Sequence, residues 1–515
     1  MKSALLLAAL ALTSAQAQHQ HHHTEEAATD TGKLGTVHFP ISCAPATHAQ
    51  FERGVAFLHS FWYEEASKQF HAVAAADPNC PIAHWGIAMS SWHQLWDRPD
   101  AATVSKSAHE LTLAHPTPAT TDRERRYLDA LAAFFPADPT AATQDHIARA
   151  QAYSAKMADL YHAYPDDTEA GAFYALSLLV SEKPADTSLA NEHAALAVLQ
   201  PLFAKYPDHP GLAHYIIHTC DTPALAQQGL AAAREYARIA PSSPHAVHMP
   251  GHIFARLGLW QEDIASNVAS VEATHYAMAH HQGGAGHQLH AMDFLVYAYL
   301  QTGQDAKAKE ILDSTPAILK EIAASDEPDP MTGHMDFYTT EFTAIYSLER
   351  RDWQSAAQLP APASGIGREI ALWARAIGSA HLHQAAETQR NYDDFQKYVE
   401  EMKSGPDAYM VENLEVTPRE LAAWLAYSKN DLARAAQLMS EAADLQDKKG
   451  QGEVDIPARE MLADILLDQG NAREALAQYK TSLQLSPNRF NGLYNAARAA
   501  ELSGDSALAA NYYRT

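Results

Sequence analysis

Six histidines occupy equivalent positions in a repeating pattern, and that pattern is what could do chemistry. Pro207 and Pro241 stand 34 residues apart, in Tyr206-Pro207-Asp208 and Ala240-Pro241-Ser242, and each closes a helical hairpin. With Pro210 and Pro244 as position 1 of successive units, His214 and His218 fall at positions 5 and 9 of the first. His245, His248 and His252 fall at positions 2, 5 and 9 of the second. If Leu289 opens a third unit, His290 and Asp293 take its positions 2 and 5, and Tyr297 its position 9. Asp221 holds position 12 of the first unit.

On an α-helix positions 2, 5, 9 and 12 share a side, about 130° from positions 4, 7, 8 and 11, which pack inside the hairpin. Side chains three or four residues apart on a helix lie about 5–6 Å apart at Cβ, close enough to share one ion. Three hairpins thus bring His214, His218, His245, His248, His252 and His290, with Asp221 and Asp293, onto one shared surface groove. Imidazole and carboxylate without thiolate suit Cu, Zn or Fe. Six imidazoles could hold a pair of coppers with three each, whereas aspartates that ligate or stand behind the histidines suit Zn or Fe. The competing reading is a hydrogen-bonded His/Asp network with no metal, although such a face is repulsive when protonated and costly when unpartnered.

Other residues extend the groove. Arg256, at position 13, either holds a substrate carboxylate or orients Asp221, and Tyr297 is a second candidate substrate contact. Glu169 and Glu341 line the groove further out, with His334 beside the latter. Trp85 and Trp92 fit a groove surface or the packing between repeats, and aromatics in repeat arrays favour the packing role. An 11-residue insertion carrying His280, His281, Gly283, Gly284, Gly286 and His287 reads as a mobile lid. Familiar catalytic motifs are absent, so no catalytic residue is assigned.

The elements that must position these residues are helices. Gly54, Phe57, Ala66, Phe70 and Pro78 give a small, large, small, large, helix-ending pattern. It returns as Ala463, Leu466, Ala475, Tyr479 and Pro487. These residues resemble the tetratricopeptide repeat, a 34-residue helix-turn-helix. Small residues let paired helices approach, and large ones fill the gaps between hairpins. The fold expected is all-α, a right-handed solenoid over 41–515, with clear repeats at 47–96, 168–322, 337–360, 416–445 and 456–515. Residues 97–165 and 361–415 keep helical composition without a readable register.

Residues 1–17 read as a secretory signal: Lys2, an apolar run from Leu5 to Leu12, and Ala15-Gln16-Ala17 as cleavage site. Residues 18–40 read as a disordered tail carrying His19, His21, His22 and His23. Export to the periplasm or beyond follows, and no later apolar run is long enough to insert in a membrane. The chain has 62 acidic and 37 basic residues, a net charge of −25, which argues against nucleic acid as a partner. Of three cysteines, Cys43 and Cys80 bracket the first hairpin at one edge and can pair. Cys220 reads as an inert buried thiol.

Three segments carry a narrower likeness. His214-Tyr215-Ile216-Ile217-His218, His245–Gly258 (HAVHMPGHIFARLG) and His290–Gly303 (HAMDFLVYAYLQTG) resemble an exported bacterial tetratricopeptide-repeat family with HYxIH, HxxHMPxHIF and HAMD motifs. FERGVAFLHSFWYEEA, near the start, looks like that family too. The resemblance implies export and the repeat fold, and adds no activity. Two functions remain open: a metalloprotein, with the option of metal-dependent oxidoreductase or hydrolase chemistry on a small molecule in the groove, and a metal-free scaffold that binds a peptide there.

Overall fold

A computed structural model describes residues 32–95, 98–138, 145–183, 186–282, 284–324, 335–363, 365–405, 408–411 and 414–515. The signal segment, the tail histidines, Trp96, Gly283 and His334 lie outside the described residues. Described residues form helices and turns with no strand, and consecutive helices pair as antiparallel hairpins from His48–His59 with Tyr63–Ala76 to Phe490–Leu502 with Ser506–Arg514. The core is a string of apolar clusters passed from hairpin to hairpin, as a solenoid requires. The fold is therefore the all-α tetratricopeptide type.

The repeat signature works sterically. A Cβ on Gly54 or Gly86 would lie 2.8 or 2.4 Å from the Phe70 ring, so the small positions let the helices close around that aromatic. Helices start at Pro210 and Pro244, where proline loses nothing by lacking an N–H. His209 and Ser243 cap them, accepting from Leu212 N and Ala246 N. The stretches without readable register are also helical, including Ala101–Leu113, Asp122–Phe134, His146–Ala163, Ile366–His381 and Ala385–Lys403. No helix among the described residues is long and apolar enough to cross a membrane.

Three expectations need correction. The disordered tail cannot extend to residue 40: Leu34, Phe39 and Ile41 are buried, and Thr36 N donates to Asp208 O at 2.9 Å. Alternating apolar residues let this segment cover the first hairpins. Where a lid is expected, the described residues of the glycine-rich insertion lengthen Trp260–Ala279 and Ala285–Gln301, and His287 is buried against His245. Third, Pro250 divides the second histidine helix into Pro244–His248 and Pro250–Arg256, because proline removes an N–H from the ladder.

Cys43 and Cys80 stand with sulfurs 2.04 Å apart, joining the ends of the first hairpin. Cys220 is buried, and burial pushes its thiol up to about 12. Trp85 and Trp92 pack in the core; Trp92 stacks on Phe134 with centroids 3.5 Å apart.

The array also closes on itself. Trp260 Nε1 donates to Asn488 O at 2.8 Å, Asn488 Nδ2 donates to Gly258 O at 3.2 Å, and Arg489 bonds the hydroxyl of Tyr297. Repeats some 200 residues apart in sequence therefore meet, and the loop between Leu432–Lys449 and Ala458–Asp468 reaches over the central hairpins.

Candidate metal centre

Two histidine trios form on adjacent hairpins. In each of His214/His218/His245 and His248/His252/His290, one ring nitrogen per residue lies within 4.8 Å of the other two. Within the trios, His214 Nε2 faces His245 Nε2 at 3.1 Å, and His248 Nε2 faces His252 Nε2 at 3.0 Å. The trios adjoin: the His245 and His248 rings are 6.1 Å apart, and those of His218 and His252 are 6.3 Å apart.

Each trio rests on a phenylalanine. Phe61 packs on His214, His218 and His245 at 4.4, 5.4 and 5.6 Å between centroids. Phe294 does the same for His248, His252 and His290, at 4.9, 4.8 and 5.4 Å. Phe61 holds φ at +50°, a left-handed backbone that a bulky side chain rarely adopts. Strain of this kind concentrates at functional sites.

Backbone and side-chain acceptors turn the Nε2 atoms inward. His214 Nδ1 donates to the carbonyl of His59 at 2.6 Å. His248 Nδ1 donates to Asn267 Oδ1 at 2.6 Å, while Asn267 Nδ2 donates to Asp263 O and Oδ1. A Cβ on Gly251 would lie 2.7 Å from Asn267 Nδ2, so glycine there admits this support. His252 Nδ1 donates to Asp221 Oδ2 at 2.9 Å and Glu453 Oε1 at 3.0 Å. These are the bonds that fix tautomer and orientation in metal-binding histidines.

Burial pushes His214 and His290 down to about 3, and carries His218, His245 and His248 well below the ordinary imidazole range. They are neutral and able to ligate. Burial would also lower His252, but Asp221 and Glu453 outweigh it and raise the ring to about 10. His252 then carries the proton that bridges to His248 Nε2, in the place a cation would take. His218 Nε2 is sealed from solvent with no hydrogen-bond partner, and it belongs to the first trio.

The expected open groove is therefore wrong in this region. His214, His245 and His248 are at most 1 % exposed, because Phe61 covers one side and Glu453 arrives on the other. Neither candidate substrate contact is free. Arg256 Nε donates to Asp221 Oδ1 at 2.9 Å, its NH2 approaches Glu453 at 3.5 Å, and NH1 bonds Gln451 O; its role is to orient Asp221. Tyr297 is buried and donates to Asp455 O at 2.7 Å, tying the central hairpin to the C-terminal repeats. Asp221 meets His252 at Nδ1 rather than Nε2, and with Glu453 the two form a further group whose atoms lie within 4.8 Å of one another. Asp293 is buried apart from both trios, pushed up to about 8 by burial and then by Glu453.

Glu169 lies under the centre. It accepts from His59 Nε2 at 2.6 Å and His209 Nε2 at 2.8 Å, and those rings hold its carboxyl well below the usual range although burial opposes them. His59 Nδ1 bonds Tyr215 Oη at 2.9 Å, and His209 Nδ1 accepts from Leu212 N at 3.3 Å. All four ring nitrogens have partners, so this group is a closed hydrogen-bond network. Gly211 makes room: a Cβ there would lie 2.4 Å from His59 Nδ1. Gly211 holds the register position that His245 and His290 hold in later units.

Sequence reasoning did not reach Glu453, Asn267, Asp263, His209 or Phe294, and placed His287 in a lid. Asn267 and Asp263 left a usable signal, as polar residues one turn apart on the packing side of the second helix of their hairpin.

Fold and site together define a tetratricopeptide-type solenoid closed around a buried polyhistidine centre. No family model and no curated protein matches the chain. Among solved structures, the human IFIT1 dimer with m7Gppp-AAAA is similar at 13% identity and TM-score 0.36, over 84% of this chain and 89% of that one. The APC/C hetero-tetramer Cut9-Hcn1 is similar at 13% identity and TM-score 0.35, over 88% and 76%. A signal transduction ATPase with a tetratricopeptide repeat sensor from Pyrococcus horikoshii is similar at 14% identity and TM-score 0.32, over 84% and 72%. These likenesses carry nothing about ligand or activity.

Proposed function

We propose that this chain is an exported metalloprotein holding a pair of transition-metal ions, one on His214, His218 and His245 and the other on His248, His252 and His290. The observation that carries this reading is the anchoring: His214, His248 and His252 commit Nδ1 outward and turn Nε2 into a common interior. All-imidazole trios suit copper first, and zinc or iron with Asp221 and Glu453 behind His252. Three protein ligands leave each ion an open position, as catalytic sites do. A bound ion there would supply Lewis-acid or redox chemistry to a small molecule, while Phe61 and Phe294 exclude water from the rings. The metal-free scaffold loses support because the histidine face is buried and cannot line an extended peptide.

The test is elemental analysis of protein lacking residues 18–31, which removes the tail histidines and spares Leu34. Two equivalents of one transition metal, falling in a His248→Ala/His252→Ala variant that still folds, is the expected result. No stoichiometric metal after refeeding with Cu, Zn and Fe overturns the reading.

A further inference from the structure

A second cavity, of about 350 Å³, opens between Met335–Glu349, Ile366–His381, Val416–Ser428 and the loop around 450–455. Four carboxylates line it, Glu341, Glu369, Glu420 and Asp455, and no basic residue does. Its remaining wall is mixed, five branched aliphatic residues and the Phe337 and Trp373 rings beside Thr417, Gln446 and Gln451.

Glu420 is the one of these four acids that is buried. It is 4 % exposed; Trp373 Nε1 donates to its Oε2 at 3.0 Å, and no described donor reaches its other oxygen. That oxygen is not sealed from solvent, so a cation entering the cavity can reach it. Glu341 and Glu369 have no hydrogen-bond or ion-pair partner among the described residues. Asp455 differs, since Gln446 Nε2 and Ile456 N donate to it at 3.2 and 2.7 Å.

The chemistry of the cation follows from spacing and walls. The histidine trios bring their donor atoms within reach of one ion, whereas these carboxylates form no such group. A bare metal ion would engage too few of them. An ammonium on an alkyl stem meets both features: carboxylates accept its hydrogens, and isoleucines with an indole face enclose the stem. We infer that this cavity binds a primary aliphatic amine, its ammonium taken by Glu369 and Glu420 and its stem lying along Ile370 and Trp373. Burial pushes Glu369 up to about 7 and Glu420 up to about 8, a desolvation cost that an incoming cation offsets.

The site adjoins the histidine centre and is independent of it. Val454 and Asp455 face the cavity, while their neighbour Glu453 holds His252. One loop therefore forms the wall between them.

Calorimetric titration of the full chain with 1,5-diaminopentane tests the inference, with 1,5-pentanediol as neutral isostere and N-acetyl-lysine methylamide as the protein-borne form of the amine. The diamine binds and the diol binds at least tenfold more weakly or not at all. Glu369→Gln and Glu420→Gln each weaken the diamine at least tenfold. Glu369 has no hydrogen bond to lose, so its variant keeps the test valid if Glu420→Gln misfolds. Tighter binding of the lysine amide assigns the site to a protein lysine, and tighter binding of the diamine to a free amine. Retained amine binding in the His248→Ala/His252→Ala variant separates this site from the metal reading. Equal binding of diol and diamine, no binding of either amine, or indifference to Glu369→Gln overturns the inference.

Discussion

His248 donates from Nδ1 to Asn267 Oδ1 at 2.6 Å, the two residues standing 19 positions apart on the two arms of one hairpin. The Asn267 amide is itself held by Asp263, so the His248 ring has one orientation and one tautomer. Replacing Asn267 with alanine removes the acceptor and leaves Nδ1–H buried and unmatched. Metal affinity should fall about 10–100-fold, the usual cost of losing such a partner. Competition against a chelator of known affinity measures it, and unchanged affinity would show that the bond is merely structural.

Two trios imply two independent losses. His218→Ala and His290→Ala should each reduce the metal content from two equivalents to one, and the double variant should hold none. If either single variant loses both ions, the rings form one shared site.

The register of the histidines was legible because it depends on arithmetic within a hairpin: 34-residue spacing and the 3.6-residue turn place His214, His218, His248 and His252 without tertiary information. What escaped is what crosses the superhelix. Glu453 reaches His252 over 201 residues, a meeting set by small rotations accumulated from repeat to repeat. No local pattern marks such a contact, so an open groove was expected where the chain is closed. Arg256 and Tyr297 were misjudged for the same reason, since their partners Glu453, Gln451, Asp455 and Arg489 lie in the returning repeats. Phe61 escaped differently: its place against the first trio depends on a left-handed turn that phenylalanine does not announce.

Phe61 offers a reversal of the usual substitution order. Phe61→Ala forfeits the ring contacts, about 3–5 kcal/mol for a buried phenylalanine, and keeps a side chain at φ +50°. Phe61→Gly loses the same contacts but relieves about 1 kcal/mol of backbone strain. Denaturant unfolding should rank glycine above alanine. Both variants should expose His218 to diethyl pyrocarbonate, and continued protection would show that another group covers the trio.

Joining Cys43 to Cys80 across 37 residues constrains the unfolded chain by about 4 kcal/mol in the chain-entropy estimate. A Cys43→Ser/Cys80→Ser variant should melt earlier in its N-terminal repeats. Its C-terminal repeats should be little changed, because solenoid stability is summed from neighbours. Calorimetry on both forms checks this, and an unchanged first transition would mean the bridge adds nothing.

The acid-lined cavity makes stability fall with rising pH, opposite to the usual carboxylate effect. Burial raises Glu369 from 4.5 to about 7 and Glu420 from 4.5 to about 8, with Asp455 adding to the latter. In the unfolded chain these groups lose their protons near 4.5, whereas the folded protein keeps them to higher pH. Between these limits the two groups hold more protons in the folded state, so their contribution declines as pH rises from about 5 to 8. The neutral His214, His218, His245, His248 and His290 give the opposite slope below about 6.5. The decline for Glu420 is of order a few kcal/mol, at about 1.4 kcal/mol per unit. Glutamine at position 420 mimics the protonated form, can still accept from Trp373, and should flatten that decline, so its melting temperature gains on the wild type as pH rises from 5 to 8. Saturating 1,5-diaminopentane should also flatten it in the wild type, because an ammonium stabilises the ionised carboxylates. A gap between variant and wild type that does not widen from pH 5 to 8 would mean these carboxylates already have cationic partners.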